Sequence, residues 1–185
     1  MRTLLWMALL IWSPMAPAQG PELYRLERSR VAFVSDAPLE RIEAALSTAT
    51  GVLDPGERSF AVQIPMREFQ GFNSPLQREH FNENYIESDE FPTARFVGRI
   101  IESVDVRRPG TYDIRTKGKF TLHGVTRERI IDCSLVVSED GIRATSSFEV
   151  PLSDHDIRIP RIVEQKIAPV VQVTIDLLFR KAAAR

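Results

Sequence analysis

The sequence predicts a mainly β protein, an eight-stranded antiparallel barrel with one short helix between its early strands. Three observations carry this prediction. Apolar and polar residues alternate with period two along most of the chain after about residue 20. The breaks between the alternating runs are short and rich in turn residues. A single segment, around residues 73–85, has helical spacing behind a helix-start signal.

The last strand is the clearest. From Val171 to Arg180 the odd positions are all apolar and the even ones polar, except Leu178, which is the pattern of a half-buried strand. Tyr112, Ile114, Thr116, Gly118 and Phe120 alternate with Asp113, Arg115, Lys117 and Lys119. Ile142, Ala144, Ser146, Phe148 and Val150 share one face of another run, and Ile131, Cys133, Leu135 and Val137 one face of a third. Phe60 to Met66, Arg95 to Ile100 and Val31 to Ser35 supply further strands. Glu40–Ser47 fits a strand by position, although its Ala, Leu and Glu also suit a helix.

Turn chemistry separates these runs. Asp54-Pro55-Gly56, Arg108-Pro109-Gly110, His123-Gly124 and Glu139-Asp140-Gly141 all fall between them. Connections this short join antiparallel neighbours, because a parallel crossover needs about a dozen residues. Residues from Thr93 to Val150 therefore read as a four-stranded meander. Asn73-Ser74-Pro75 places a cap and an N-terminal proline before Leu76, His80, Phe81 and Tyr85, so a helix is expected there, ending before Phe91-Pro92. With no second helical layer to cover the sheet, closing it into a barrel is the economical arrangement.

The chain starts differently. Arg2 is followed by an apolar run from Leu4 to Trp12, then Ser13, Pro14 and the small residues of Ala16-Pro17-Ala18. That order describes a secretory signal peptide over residues 1–18, ahead of a single domain over residues 19–185. The run is shorter than the roughly 20 residues of a transmembrane helix. Cleavage after Ala18 removes Arg2 and leaves 167 residues, moving the formal charge from -1 to -2. The expected product is soluble, periplasmic in a two-membrane bacterium or secreted.

Composition excludes several function classes. The 24 basic and 25 acidic residues argue against nucleic-acid binding through a broad basic surface. One cysteine closes no intramolecular disulfide and builds no cysteine-based zinc or iron–sulfur site. Cys133 falls among apolar inward positions, which suits an inert thiol. Asp154-His155-Asp156 holds three potential metal ligands, but on a strand the two carboxylates face away from the imidazole. Its expected role is structural or exposed, and no cofactor is expected. No G-x-S-x-G, Walker A or dinucleotide glycine pattern occurs. Glu83, Glu87, Asp89 and Glu90 make the helix region acidic, which limits any contact with anionic lipid to a transient one. Cys133 or an edge strand would permit a homodimer, and nothing in the sequence compels one.

An eight-stranded barrel either packs its interior or holds one small ligand. Small inward candidates such as Ala144, Ser146, Gly98 and Thr116 alternate here with Phe60, Phe96, Phe120 and Phe148. Such a mixture suits an elongated apolar cavity and an ordinary filled core equally well.

Two stretches resemble a known family. "HFNENYIESDEFPTARFVGRI" from His80 and "GKFTLHGVTRERI" from Gly118 are similar to the YceI-like family, exported lipocalin-like proteins associated with polyisoprenoid binding. "SRVAFVSDAPLE" and "DHDIRIPRIVEQKIAPVVQVTIDL" extend the resemblance from about Tyr24 to Phe179. It implies an elongated eight-stranded barrel that carries or stores an isoprenoid or similar amphiphile, with no catalytic residue to transfer. It also implies cavity-mouth positions for Phe81, Tyr85 and Phe91, and a structural role for the hairpin of Leu122, Gly124, Val125 and Thr126. Phe96, Phe120 and Phe148 are then expected to touch the ligand, with Thr116 and Ser146 as interior polar contacts. The alternatives are a fully packed structural or interaction module, and an enzyme for an apolar substrate using His80, His123 or Asp154.

Overall fold

The computed structural model describes residues 22–182, so the signal-peptide reading of residues 1–18 lies outside the described residues. Nine strand segments form one antiparallel sheet. They are β1 (Tyr24–Asp36), β2 (Arg41–Leu46), β3 (Thr50–Asp54), β4 (Ser59–Pro65), β5 (Thr93–Ile100), β6 (Gly110–Leu122), β7 (Val125–Ser138), β8 (Gly141–Pro151) and β9 (Val170–Lys181). β1 also pairs with β9, from Tyr24 opposite Lys181 to Val34 opposite Gln172, and this ladder closes the barrel.

β2 and β3 are two halves of one stave. Both pair with β1 in a continuous register, Val31 opposite Leu46 and Arg25 opposite Val52. The chain leaves the sheet between them, where the Ala49 N–H donates to Ser29 Oγ at 3.2 Å. The barrel thus has eight staves built from nine segments. Helix propensity in Glu40–Ser47 loses to tertiary context: Ile42, Ala44 and Leu46 are buried on the inner face, while Arg41 and Glu43 stay in solvent.

Helix α1 (Pro75–His80) follows the third stave. Ser74 Oγ accepts from the Gln77 N–H at 3.1 Å, and Gln77 Oε1 accepts from the Asn73 N–H at 3.0 Å. These two bonds satisfy donors that a helix start leaves unpaired. Phe81–Tyr85 continues as one wider π turn, in which the Ile86 N–H reaches Phe81 O at 2.9 Å.

The two ends of the barrel differ. Residues 101–109 plug one end, with Val106 fully buried. α1 and residues 152–169 cover the other. There β7 and β8 part company: they pair only from Ser134 opposite Thr145 to Ser138 opposite Gly141. Above that point side chains span the seam. Arg127 Nε donates to Asp154 O at 2.8 Å, an Arg129 guanidinium N–H to Glu149 O at 2.6 Å, and the Ser146 hydroxyl to Asp132 O. They occupy carbonyls that a continued ladder would have used.

The strand expected through Asp154-His155-Asp156 is corrected by the structure. Leu152–His155 is a 3-10 turn that ends on Asp156 at φ 56°, a conformation aspartate tolerates better than most residues. The turn sends His155 into the core, where it is 0% exposed. Asp154 and Asp156 stay exposed, so the carboxylates do face away from the imidazole as expected, but a helical turn and not strand alternation separates them.

Gly98 and Gly118 face each other across β5 and β6. A Cβ on Gly98 would lie 2.4 Å from Lys117 O and 2.8 Å from the Gly118 Cα. Backbone must move to admit it. Gly98→Ala is therefore expected to cost at least about 2 kcal/mol, at the upper part of the overpacking range, measured as a lower urea midpoint with an unchanged m value.

Candidate functional site

At the helix end the barrel encloses an apolar cavity of about 420 Å³. β1 contributes Val31 and Phe33, the segment between β4 and α1 contributes Met66, Phe69 and Phe72, and the helical segment contributes Phe81, Tyr85 and Ile86. Leu152, Ile157 and Ile167 close the wall from the segment before β9. Four phenylalanines form one cluster in that wall. Phe33 stacks on Phe81 at 5.4 Å and meets Phe69 edge-on at 5.2 Å, while Phe72 tilts against Phe81 at 5.0 Å. These ring separations are favourable for aromatic pairs.

The polar groups in the lining are few. Ser35 is buried and its Oγ accepts from the Ala168 N–H at 2.9 Å, which ties the β8–β9 segment to β1. Gln77 Nε2 donates to Glu40 Oε1 at 2.9 Å. His80 and Lys166 complete the polar rim with Ser74. Burial raises the Tyr85 phenol above its ordinary pKa, so it lines the cavity as a neutral group.

Of the residues expected to touch a ligand, Phe81, Tyr85 and Phe120 line this cavity. The other five do not. Phe91 packs its ring on His123 at 4.7 Å, over the hairpin turn where His123 and Gly124 have φ of 49° and 71°. Phe96 packs between Phe60 at 5.1 Å and Phe120 at 6.3 Å. Thr116 is buried and donates to Ile131 O at 3.1 Å, and Ser146 is committed to Asp132 O across the seam. Phe148 is half-buried against the core outside the lining. The four on strands share the inward parity, but parity gives a face and not a height along the axis; Phe91 lies in the loop before β5.

Sequence reasoning missed Phe33, Phe69 and Phe72 as lining residues. Phe69 and Phe72 lie in irregular chain without periodicity. Their only signal was the crowding of Phe69, Phe72 and Phe81 within thirteen residues.

The three side chains weighed for catalysis, His80, His123 and Asp154, do not converge on the cavity. His80 reaches the cavity, whereas His123 and Asp154 are outside its lining. His123 Nδ1 donates to His155 O at 2.9 Å, and its Nε2 meets Glu87 Oε2 at 2.7 Å. Among the described residues no three His, Cys, Asp or Glu side chains are grouped to hold a metal ion. His155 Nδ1 donates to Val125 O at 3.1 Å, and its Nε2 is buried without a partner.

The family model of the YceI-like domain matches residues 24–179, nearly all of the described chain. The chain belongs to the YceI-like family. Solved YceI-like and related structures share the fold. A polyisoprenoid binding domain from Saccharophagus degradans, implicated in plant cell wall breakdown, superposes with a TM-score of 0.74 at 12% identity, covering 86% of this chain and 98% of that one. BcnA of Burkholderia cenocepacia gives 0.67 at 17% identity, covering 80% and 94%. The YCEI protein of Campylobacter jejuni gives 0.54 at 15% identity, covering 74% and 81%. No curated protein matches.

Two outcomes follow for this YceI-like barrel. Burial pushes the Cys133 thiol up to about 11. Alkylation by iodoacetamide at pH 8 should therefore run more than about a hundredfold slower than for a free thiol, with the ordinary rate restored in urea. Burial also holds the His155 imidazole below its ordinary pKa. The unfolded chain then takes up a proton below about pH 6.5 that the fold resists, so stability falls as pH drops through that value. His155→Asn keeps a donor for Val125 O and cannot titrate. Its melting temperature should decline less steeply between pH 7 and pH 5.5 than that of the unaltered protein.

Proposed function

We propose that the protein binds an isoprenoid or a similar apolar amphiphile in the cell envelope and acts as a carrier or store rather than an enzyme. One observation carries this reading: the interior is not filled, and the space left is walled by Phe33, Phe69, Phe72 and Phe81. Small-molecule sites are concave and mostly apolar, and about 300–1,000 Å³ is their usual size. An apolar chain entering the cavity leaves water at roughly 25 cal/mol per Å². The barrel strands pair their own N–H and C=O groups, so the ligand meets side chains and little free backbone.

In this reading Phe81, Tyr85 and Phe120 contact the apolar chain, and Lys166 and His80 stand where a polar head would remain. The polyisoprenoid binding domain that shares this fold supports the ligand class. The apparent signal peptide of residues 1–18 supports an envelope location for the domain that follows. Of His80, His123 and Asp154 only His80 lines the cavity, which favours binding over turnover.

Solvent extraction and mass spectrometry of the purified protein should release a host lipid, and emptied protein should take up labelled isoprenoids. Protein that is empty as isolated and takes up none contradicts the proposal. Ala94 is 3% exposed and lines the cavity. Ala94→Phe should fill the space and weaken uptake at least about tenfold, at the 1–3 kcal/mol stability cost of overpacking. Fluorescent-probe titration measures the first effect and urea denaturation the second.

A further inference from the structure

Three large apolar side chains stand in solvent at the cavity rim, and each comes from a different segment. Leu39 in the β1–β2 turn is 66% exposed, Leu76 at the start of α1 is 57%, and Ile162 in the β8–β9 segment is 92%. Two bonds bring the segments together. The Leu39 N–H donates to Gln165 O at 2.8 Å, and Gln77, beside Leu76, donates to Glu40, beside Leu39, at 2.9 Å. Leu76 and Val163, the neighbour of Ile162, line the same cavity. A single exposed leucine is ordinary. Three on tied segments around one apolar opening form a patch.

We propose that this rim is a membrane-docking face. Leu39, Leu76 and Ile162 enter the interfacial zone of a phospholipid bilayer, and the cavity opens toward the acyl chains. The bilayer is favoured over a protein partner by what lies behind the tips: the apolar surface continues from the rim into the cavity, and an acyl layer continues it outward. The charges agree. Around Ile162, the stretch from Arg158 to Lys166 holds Arg158, Arg161 and Lys166 against Glu164, so cations flank that tip, while Asp154 and Asp156 lie earlier in the segment, and beside Leu39 Asp36 is paired with Arg41 and Glu40 is bonded to Gln77. The acidic side chains Glu79 and Glu83 of the helical segment turn to a separate groove with Arg67 and Arg78. This inference rests on the cavity being a ligand site, because docking places its mouth where an apolar ligand resides.

The test is flotation of the protein, purified after expression with its own leader, with vesicles of phosphatidylcholine containing one-fifth phosphatidylglycerol. The protein should float with the vesicles and largely remain bound in 0.5 M NaCl. Leu39→Asp with Ile162→Asp should weaken partitioning by at least about tenfold, from two side chains' worth of lost apolar burial, while a soluble apolar probe still fills the cavity. Equal flotation of the two proteins overturns the proposal, as does loss of binding in salt alone. A wild-type dimer that the double variant converts to monomer, without vesicle binding by either, assigns the patch to a second copy and also overturns it. Probe uptake is measured without vesicles, so failure of docking and failure of ligand binding are read separately.

Discussion

The ladder between β1 and β9 is the constraint on which the rest of the molecule depends. The sheet runs from β2 to β9, and without this pairing its first and last long strands would both present open edges. Closure gives every inward side chain an opposite wall. It also allows one stave to be broken, because β2 and β3 are both held by β1 and keep one register across the gap. The broken stave is functional in its consequence: the chain between β4 and α1 fills the space beside β2, where Gln70 and Ala45 exchange two bonds of 2.8 and 2.9 Å. That placement delivers Phe69 and Phe72 to the cavity.

The two ends of the barrel make opposite use of apolar side chains. At the plugged end Leu53, Ile100, Val106, Ile142 and Phe179 are all buried, and the interior there is a packed core. At the helix end a cavity of about 420 Å³ is left open. An apolar void costs stability in proportion to its size. In the proposed function a guest fills that void and offsets its cost.

The seam between β7 and β8 lies at the same end. Its carbonyls are taken by Arg127, Arg129, Ser146 and His155 rather than by a neighbouring strand. Side-chain latches satisfy a backbone without forcing two strands to the ladder spacing of roughly 4.8 Å. The wall is therefore wider there than eight regular staves would make it, and the 3-10 turn of Leu152–His155 fits against the gap. His155 is part of that wall, which explains why it is buried between two exposed aspartates.

The sequence by itself determined most of the strands with their inward faces, the hairpin turns and the capped helix, but not β3 (Thr50–Asp54) or the first half of β1, which are held in the sheet by their neighbours. The features it determined are local: alternation records which side of a strand meets oil, and His123-Gly124 or Ser74-Pro75 acts within a few residues. It also determined the family, through motifs spread over the whole domain. Tertiary structure alone decided which inward residues share the cavity. Phe120 reaches it and Thr116, on the same face of the same strand, does not, because depth along a barrel is set by the stagger of all eight staves. It alone decided that Phe69, Phe72 and His155 belong to the interior, since irregular chain and a 3-10 turn carry no period from which to read a face. Whether the barrel is filled or hollow was likewise undecidable from composition: the same residue volumes pack or leave space according to how far apart closure holds the walls.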